Sequence, residues 1–167
     1  MMDNHGLTPE TLGGLKVTQP QIDQAVQTVR KLCGWHIWPV REEEVALTAR
    51  DPVILLPTGN LLDLRRLRID GEEVPLDTVR WDHSGVVYVP GFRRRENGGP
   101  RMVLADIRHG YDHPADLIGV IAAMATRSAT PQTSYTVGRI AVGAAAAATP
   151  QSTEWRVIDG YELGPVP

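Results

Sequence analysis

The sequence predicts an α+β fold in which two core helices flank a small antiparallel β-sandwich or barrel insert, followed by an extended C-terminal arm. Two helical patterns, over 18–33 and 113–127, enclose the region 35–110, where apolar residues alternate in short runs between turn signals. The 167 residues suit one ordinary domain, and 16 glycines and 13 prolines favour many turns over a helical bundle.

The first helix has a start, an apolar face and a stop in the sequence. Thr18 and Gln21 have the spacing of a capping box, and Gly34 supplies a C-terminal stop. The apolar face recurs at helical spacing and consists of Ile22, Ala25, Val26, Val29 and Leu32. We therefore predict a helix over 18–33, preceded by a polar N-terminal arm over 1–17.

The region 35–110 is predicted to contain short antiparallel strands joined by tight turns. The apolar alternation slips near Arg65-Arg66, which indicates a β-bulge. Asp70-Gly71 is typical of a two-residue hairpin, and the polar residues 82–85 predict a second turn.

A further loop is predicted at Arg93, Arg94 and Arg95. Three consecutive arginines suggest contact with DNA. However, no aromatic residues interleave them and Glu96 follows directly, which favours a solvated hairpin tip.

The second helix has almost no polar face between Leu117 and Ala125. A helix that is apolar all round must be covered on every side, which is difficult within one small subunit. We take this as the sequence's main indication of an oligomer.

Residues 128–167 form the predicted C-terminal arm. A linker rich in Ser, Thr and Pro is followed by strand propensity over 135–142, five alanines, and a short helical pattern with Trp155, Ile158 and Tyr161 on one side. Such isolated elements do not stabilise themselves in water, so we expect them to dock on another surface.

Charge and composition exclude several classes of protein. The net charge of -3 argues against phosphate contacts as the main source of binding energy. The single cysteine, Cys33, cannot form an intrachain disulfide and is expected to be a small buried side chain. The start does not resemble a signal peptide, and the apolar run 117–125 is too short to span a bilayer.

We find no motif typical of catalysis and expect no cofactor and no enzymatic activity. His109, Asp112 and His113 are metal-capable, but Gly110 and Pro114 mark a strand-to-helix turn in which Asp112 suits a cap. We therefore predict no metal site. The run Glu42-Glu43-Glu44 points to alternating faces of a strand, so its carboxylates cannot converge on one substrate.

Several short motifs occur in a characteristic order. They are Cys33-Gly34-Trp35-His36, Leu55-Leu56-Pro57, Ile69-Asp70-Gly71, Tyr88, His109-Gly110-Tyr111-Asp112, Pro114, Ser134-Tyr135-Thr136-Val137-Gly138 and the terminal segment 149–163. In this order they resemble the tailed-bacteriophage head-to-tail connector (adaptor) family, in its variant with a β-rich insert between the core helices. The resemblance covers 18–163, and no single motif is diagnostic.

The resemblance implies a structural protein of the virion neck, made in the host cytoplasm. Such proteins form a ring, typically of twelve subunits, that binds the portal protein, extends the DNA channel and docks the next neck or tail protein. DNA passes through the channel without sequence-specific binding, and no membrane is involved.

By position, the resemblance also implies which residues make these contacts. The contact with the portal or with a neighbouring subunit is assigned to seven residues of the arm: Tyr135, Val137, Ile140, Val142, Trp155, Ile158 and Tyr161. Inter-subunit packing is assigned to Val26, Val29, Leu117, Ile121 and Met124 of the core helices. The candidate DNA-facing loop is Arg93, Arg94 and Arg95.

Three alternatives remain open from the sequence. One is a head-closure or tail-completion protein further along the neck. Another is a small DNA-binding module that uses the three arginines. The last is a metal-dependent enzyme built on His109, Asp112 and His113.

Overall fold

The computed structural model describes residues 5–129, 135–137, 140–142 and 149–164. The chain divides into two compact units. The helical unit comprises Met1–Cys33 and Pro114–Gly160, and the β unit comprises Gly34–His113 and Tyr161–Pro167. The predicted α+β class is confirmed, since the described part contains three helices and antiparallel sheets of four and three strands.

The first helix, α1, spans Gln19–Cys33 and begins and ends as the sequence predicts. The Gln21 side chain accepts hydrogen bonds from the Thr18 backbone N–H at 2.8 Å and from the Thr18 hydroxyl at 3.0 Å. One half of the predicted capping box is therefore formed. Gly34 has φ +81°, the left-handed conformation that ends a helix and that glycine adopts without steric cost.

The other helices of this unit are α2, Ala115–Ala129, and α3, Ser152–Asp159. The three helices contact one another and bury their apolar faces together. Every large apolar side chain of α2 is buried in the single chain, namely Leu117, Ile118, Val120, Ile121 and Met124. The expectation that this helix would be difficult to cover within one subunit is wrong, because α1 and α3 pack against it.

The described part of the N-terminal segment lies against α1. Leu7 is buried, and its carbonyl accepts a hydrogen bond from the Gln19 side chain at 2.9 Å. His5 Nε2 lies 2.9 Å from the Asp23 carboxylate, and His5 Nδ1 accepts the Leu7 N–H at 3.1 Å. These contacts fix the path of residues 5–17 within the helical unit.

The β unit is a sandwich of two open sheets around one core. The first sheet has the order β1-β7-β3-β4, and the second has the order β2-β6-β5. The strands are β1 Arg41–Ala49, β2 Val53–Leu55, β3 Leu61–Ile69, β4 Glu72–Glu73, β5 Arg80–Trp81, β6 Val86–Tyr88 and β7 Arg101–His109. Alternate residues of both sheets, such as Ile54, Leu67, Val87 and Val103, point into the shared core.

The predicted turns of the β unit are present. The pairing of β3 with β7 shifts between Leu64 and Arg66, which is the bulge expected from the slipped alternation. Asp70 and Gly71 have φ +51° and +89°, which fits a type I′ hairpin turn between β3 and β4. The Asp82 carboxylate accepts the Ser84 N–H at 2.9 Å and closes the turn between β5 and β6.

The region predicted to have strand propensity contains two short strands, β8 Tyr135–Val137 and β9 Ile140–Val142. They pair with each other in antiparallel fashion. The backbone of these strands is described, and their side chains lie outside the described part of the structure.

Candidate interaction surfaces

The surface of α3 presents one exposed aromatic side chain, Trp155, which is 41% exposed. The helix is held at its start by Glu154. The Arg127 guanidinium of α2 donates two hydrogen bonds of 2.7 Å to the Glu154 carboxylate and thereby lowers the pKa of Glu154. The Gln151 N–H donates to the same carboxylate at 2.7 Å. Trp155 is therefore displayed on a rigid element, which suits a binding contact.

The other two residues predicted on this face are used inside the protein. Ile158 is 1% exposed, and its carbonyl accepts the Cys33 thiol at 3.6 Å in the helical unit. In the β unit, the Tyr161 carbonyl accepts the Trp35 Nε1–H at 2.6 Å, and its ring packs edge-on against Tyr111 at 5.3 Å. Of the three predicted residues, Trp155 is exposed, Tyr161 is half-buried and Ile158 is buried.

The remaining predicted arm residues occupy the strand pair β8–β9. Tyr135 pairs with Val142, and Val137 pairs with Ile140. Their assignment to a portal or subunit contact stays a prediction.

The five residues predicted to pack between subunits lie inside the helical unit. Each is at most 1% exposed, and they are Val26, Val29, Leu117, Ile121 and Met124. Their burial explains their apolar character without a second subunit. A role for them between subunits stays a prediction.

The three arginines Arg93, Arg94 and Arg95 lie in a loop between β6 and β7, as predicted. Two of them pair with acidic residues of the same unit: Arg94 with Asp51, and Arg95 with Asp70 at 2.8 Å. These pairs tie the loop to the sandwich and neutralise part of its charge. A DNA-facing role for the loop stays a prediction.

Asp70 is the anchor of this loop. Its carboxylate binds Arg95, accepts the Met102 N–H at 2.8 Å and binds Arg101 at 3.0 Å. The hydrogen bond from Arg95, followed by the one from Met102, lowers the pKa of Asp70 to about 2. The turn residue predicted only to bend the chain therefore also joins β3, β7 and the arginine loop.

The candidate metal ligands do not converge. His109 is 1% exposed, with Nε2 2.8 Å from the Glu43 carboxylate, whereas Asp112 and His113 are exposed. Burial lowers the pKa of His109, with the charges of Glu43 and Arg41 acting in opposite directions. Within the described ranges, no group of three or more His, Cys, Asp or Glu side chains is placed to hold a metal ion.

The β sandwich carries exposed apolar side chains that were not predicted from the sequence. Val53 is 49% exposed, Tyr88 40% and Met102 50%, and all three project outward from their sheets. One signal in the sequence was that residues 53–56 and 86–89 are apolar at every position, whereas a half-buried strand alternates between apolar and polar residues.

In the described part of the chain, no helix is long and apolar enough to cross a bilayer.

Comparison with solved structures gives a likeness over almost the whole chain. One similar chain, from the neck of a native GTA particle computed with C12 symmetry, has a TM-score of 0.64 and 13% identity, over 99% of this chain and 93% of that chain. This chain shares its fold.

Two further chains show the same likeness. One, from the virion of a native gene transfer agent (GTA) particle, has a TM-score of 0.59 and 13% identity, over 96% of this chain and 81% of that one. Another, from the neck of an empty GTA particle computed with C6 symmetry, has a TM-score of 0.56 and 16% identity, over 96% and 82%. No family model and no curated protein matches this chain.

Proposed function

We propose that this protein is a non-enzymatic structural subunit of the neck of a phage-like particle, a head-to-tail adaptor that forms a ring on the portal. The observation that carries the proposal is the shared fold with a chain from a C12 neck, over 99% of this chain and 93% of that one. The order of short motifs along the sequence supports the same family independently of the fold.

In this proposal the ring has twelve subunits, extends the DNA channel below the portal and docks the next neck or tail protein. The net charge of -3 suits a channel through which DNA slides, because a strongly basic lining would hold phosphates. The internal pairing of Arg94 and Arg95 with Asp51 and Asp70 supports this as well, since it reduces the free positive charge of the arginine loop.

The proposed portal contact is the face of α3 that carries Trp155, together with the strand pair β8–β9. An exposed tryptophan on a helix that is fixed by a bidentate ion pair has the properties of an interface anchor. Ile158 and Tyr161 contribute by holding the adjacent backbone in place.

The experiment is to mix the purified chain with the portal protein of the same particle and to reconstruct the complex by electron microscopy without imposed symmetry. We expect a ring of this chain coaxial with the portal. A chain that remains monomeric and unbound would contradict the proposal. Density placed further along the neck, separated from the portal by another protein, would instead favour the head-closure alternative.

A further inference from the structure

We infer that neighbouring subunits of the proposed ring contact each other through the two outer faces of the β sandwich, with Arg80 of one copy paired to Glu73 of the next. This inference rests on the proposed ring and names its subunit contact. The occupant of each face is a second copy of this chain.

One of the two surfaces, which we call the Tyr88 face, is the outer face of the sheet β2-β6-β5. Val53, Tyr88 and Arg80 are direct neighbours across its three strands, so their side chains share one face. Ile54 and Val87, on the opposite side, are buried in the core. Leu55 and Val86 are paired with each other and add two half-buried apolar side chains to the Tyr88 face.

The opposite surface, which we call the Met102 face, is the outer face of the sheet β1-β7-β3-β4 near one end. Ala46, Leu104, Arg68 and Glu73 form one row across its four strands. Met102 lies two residues from Leu104 on the same face and is 50% exposed. The row on the Met102 face thus ends in an acidic residue, Glu73 on β4, whereas the row on the Tyr88 face ends in a basic one, Arg80 on β5.

The two faces lie on opposite sides of the sandwich, because the sheets share a single core between them. A closed ring with one type of contact needs two different, complementary patches on each subunit. Outward positions of an antiparallel sheet are usually polar, so apolar side chains on both outer faces call for an explanation. A head-to-tail contact between sandwiches covers both patches.

The charges at the two faces favour this pairing over contact between identical faces. In the part of the chain that the structure describes, neither the Arg80 guanidinium nor the Glu73 carboxylate has a hydrogen-bond or ion-pair partner. Arg68, next to Glu73, is bound to Glu44 instead. Contact between two Tyr88 faces would bring two Arg80 side chains together, and contact between two Met102 faces would bring two Glu73 side chains together. The heterologous arrangement joins opposite charges beside an apolar centre.

The apolar centre is of the kind that anchors interfaces. Tyr88 combines a large ring with a polar end, and Met102 adapts its shape to the surface it meets. Val53 is the cross-strand neighbour of Tyr88, and Leu104 lies on the same face as Met102, so each has an apolar neighbour. The helices, in contrast, have already buried their apolar faces within one chain.

The test is a charge-reversal experiment on ring assembly, read by native mass spectrometry with and without the portal. Arg80→Glu and Glu73→Arg each place like charges at every contact, so we expect either variant to lose rings at concentrations where the wild type is assembled. Glu72→Arg is the matched control. It makes the same change on the neighbouring residue, whose side chain points to the other side of β4, and we expect it to assemble normally.

The two reversals should rescue each other. In an equimolar mixture of Arg80→Glu and Glu73→Arg chains, an alternating ring restores an opposite-charge pair at every contact. The double variant Arg80→Glu/Glu73→Arg should likewise form rings on its own. A Tyr88→Ser variant should lose rings with only a small decrease in the melting temperature of the subunit, since this side chain is 40% exposed.

The outcomes separate this inference from the proposed function. If Arg80→Glu, Glu73→Arg and Tyr88→Ser all form rings as the wild type does, the assigned contact is overturned and the adaptor proposal stands. Loss in the single variants without rescue by mixing would also overturn the Arg80–Glu73 pairing. A wild-type chain that forms no ring, alone or on the portal, would overturn both.

Discussion

Asp70 both forms the hairpin turn after β3 and anchors the arginine loop through its carboxylate. As the first residue of the turn Asp70-Gly71 it adopts φ +51°, a conformation that Asp and Asn tolerate better than most residues. Its carboxylate also binds Met102, Arg95 and Arg101, and its pKa is lowered to about 2. The turn was predictable from the dipeptide alone. The arginine partners were not, because they lie 25 and 31 residues away in sequence.

Replacing Asp70 with Asn isolates the charge, because Asn-Gly forms the same type of turn. We expect a lower melting temperature at neutral pH and faster hydrogen exchange in residues 91–102. The stabilisation by Asp70 is present above its unfolded pKa of 3.8 and is lost as the pH falls toward about 2. The difference in melting temperature between wild type and variant should therefore shrink in this range, and a pH-independent difference would contradict the assignment.

The helices illustrate what an element's own sequence can and cannot specify. For α1, the apolar stripe lies within the element and the signals at Thr18 and Gly34 directly flank it, so its bounds were predicted closely. For α2, the apolar pattern correctly predicted that the helix is buried, but it did not predict which elements pack against it. One of these elements is α3, which follows α2 after a long connection and packs against it in the tertiary structure. Local periodicity contains no information on such a partner.

A glycine in α2 offers a test of helix energetics. Gly119 is exposed, and a Cβ placed there would meet no atom within 4 Å. We expect Gly119→Ala to raise the free energy of unfolding by about 0.5–1 kcal/mol, because alanine loses less backbone entropy in a helix. Chemical denaturation measures this change. A destabilised variant would show that the exposed side of α2 is covered in the folded protein.

The proposed portal contact is tested by separating the exposed and buried sides of α3. Trp155→Ala should weaken portal binding with a stability loss of about 1 kcal/mol or less, since the side chain is 41% exposed. Ile158→Ala should destabilise the helical unit by roughly 2–5 kcal/mol, because it opens a cavity in a closed core. Binding assays and thermal unfolding of both variants distinguish the two roles. Full portal affinity in Trp155→Ala would contradict the contact.

At the scale of the whole molecule, we propose that the sandwich mediates self-association and that the C-terminal elements bind the portal. The sequence indicated an oligomer from the apolar α2, and the reason was wrong because one chain covers that helix. The exposed residues that support an oligomer, such as Val53, Tyr88 and Met102, lie in short apolar runs. Such runs do not reveal from sequence which side faces the core, since both sides are apolar.

The most direct test of the central claim is a count of chains bound to one portal assembly by native mass spectrometry. The adaptor proposal predicts twelve copies per portal, bound together as a closed set with few intermediate states. A monomer that binds no portal, or single copies that bind independently of one another, would contradict it.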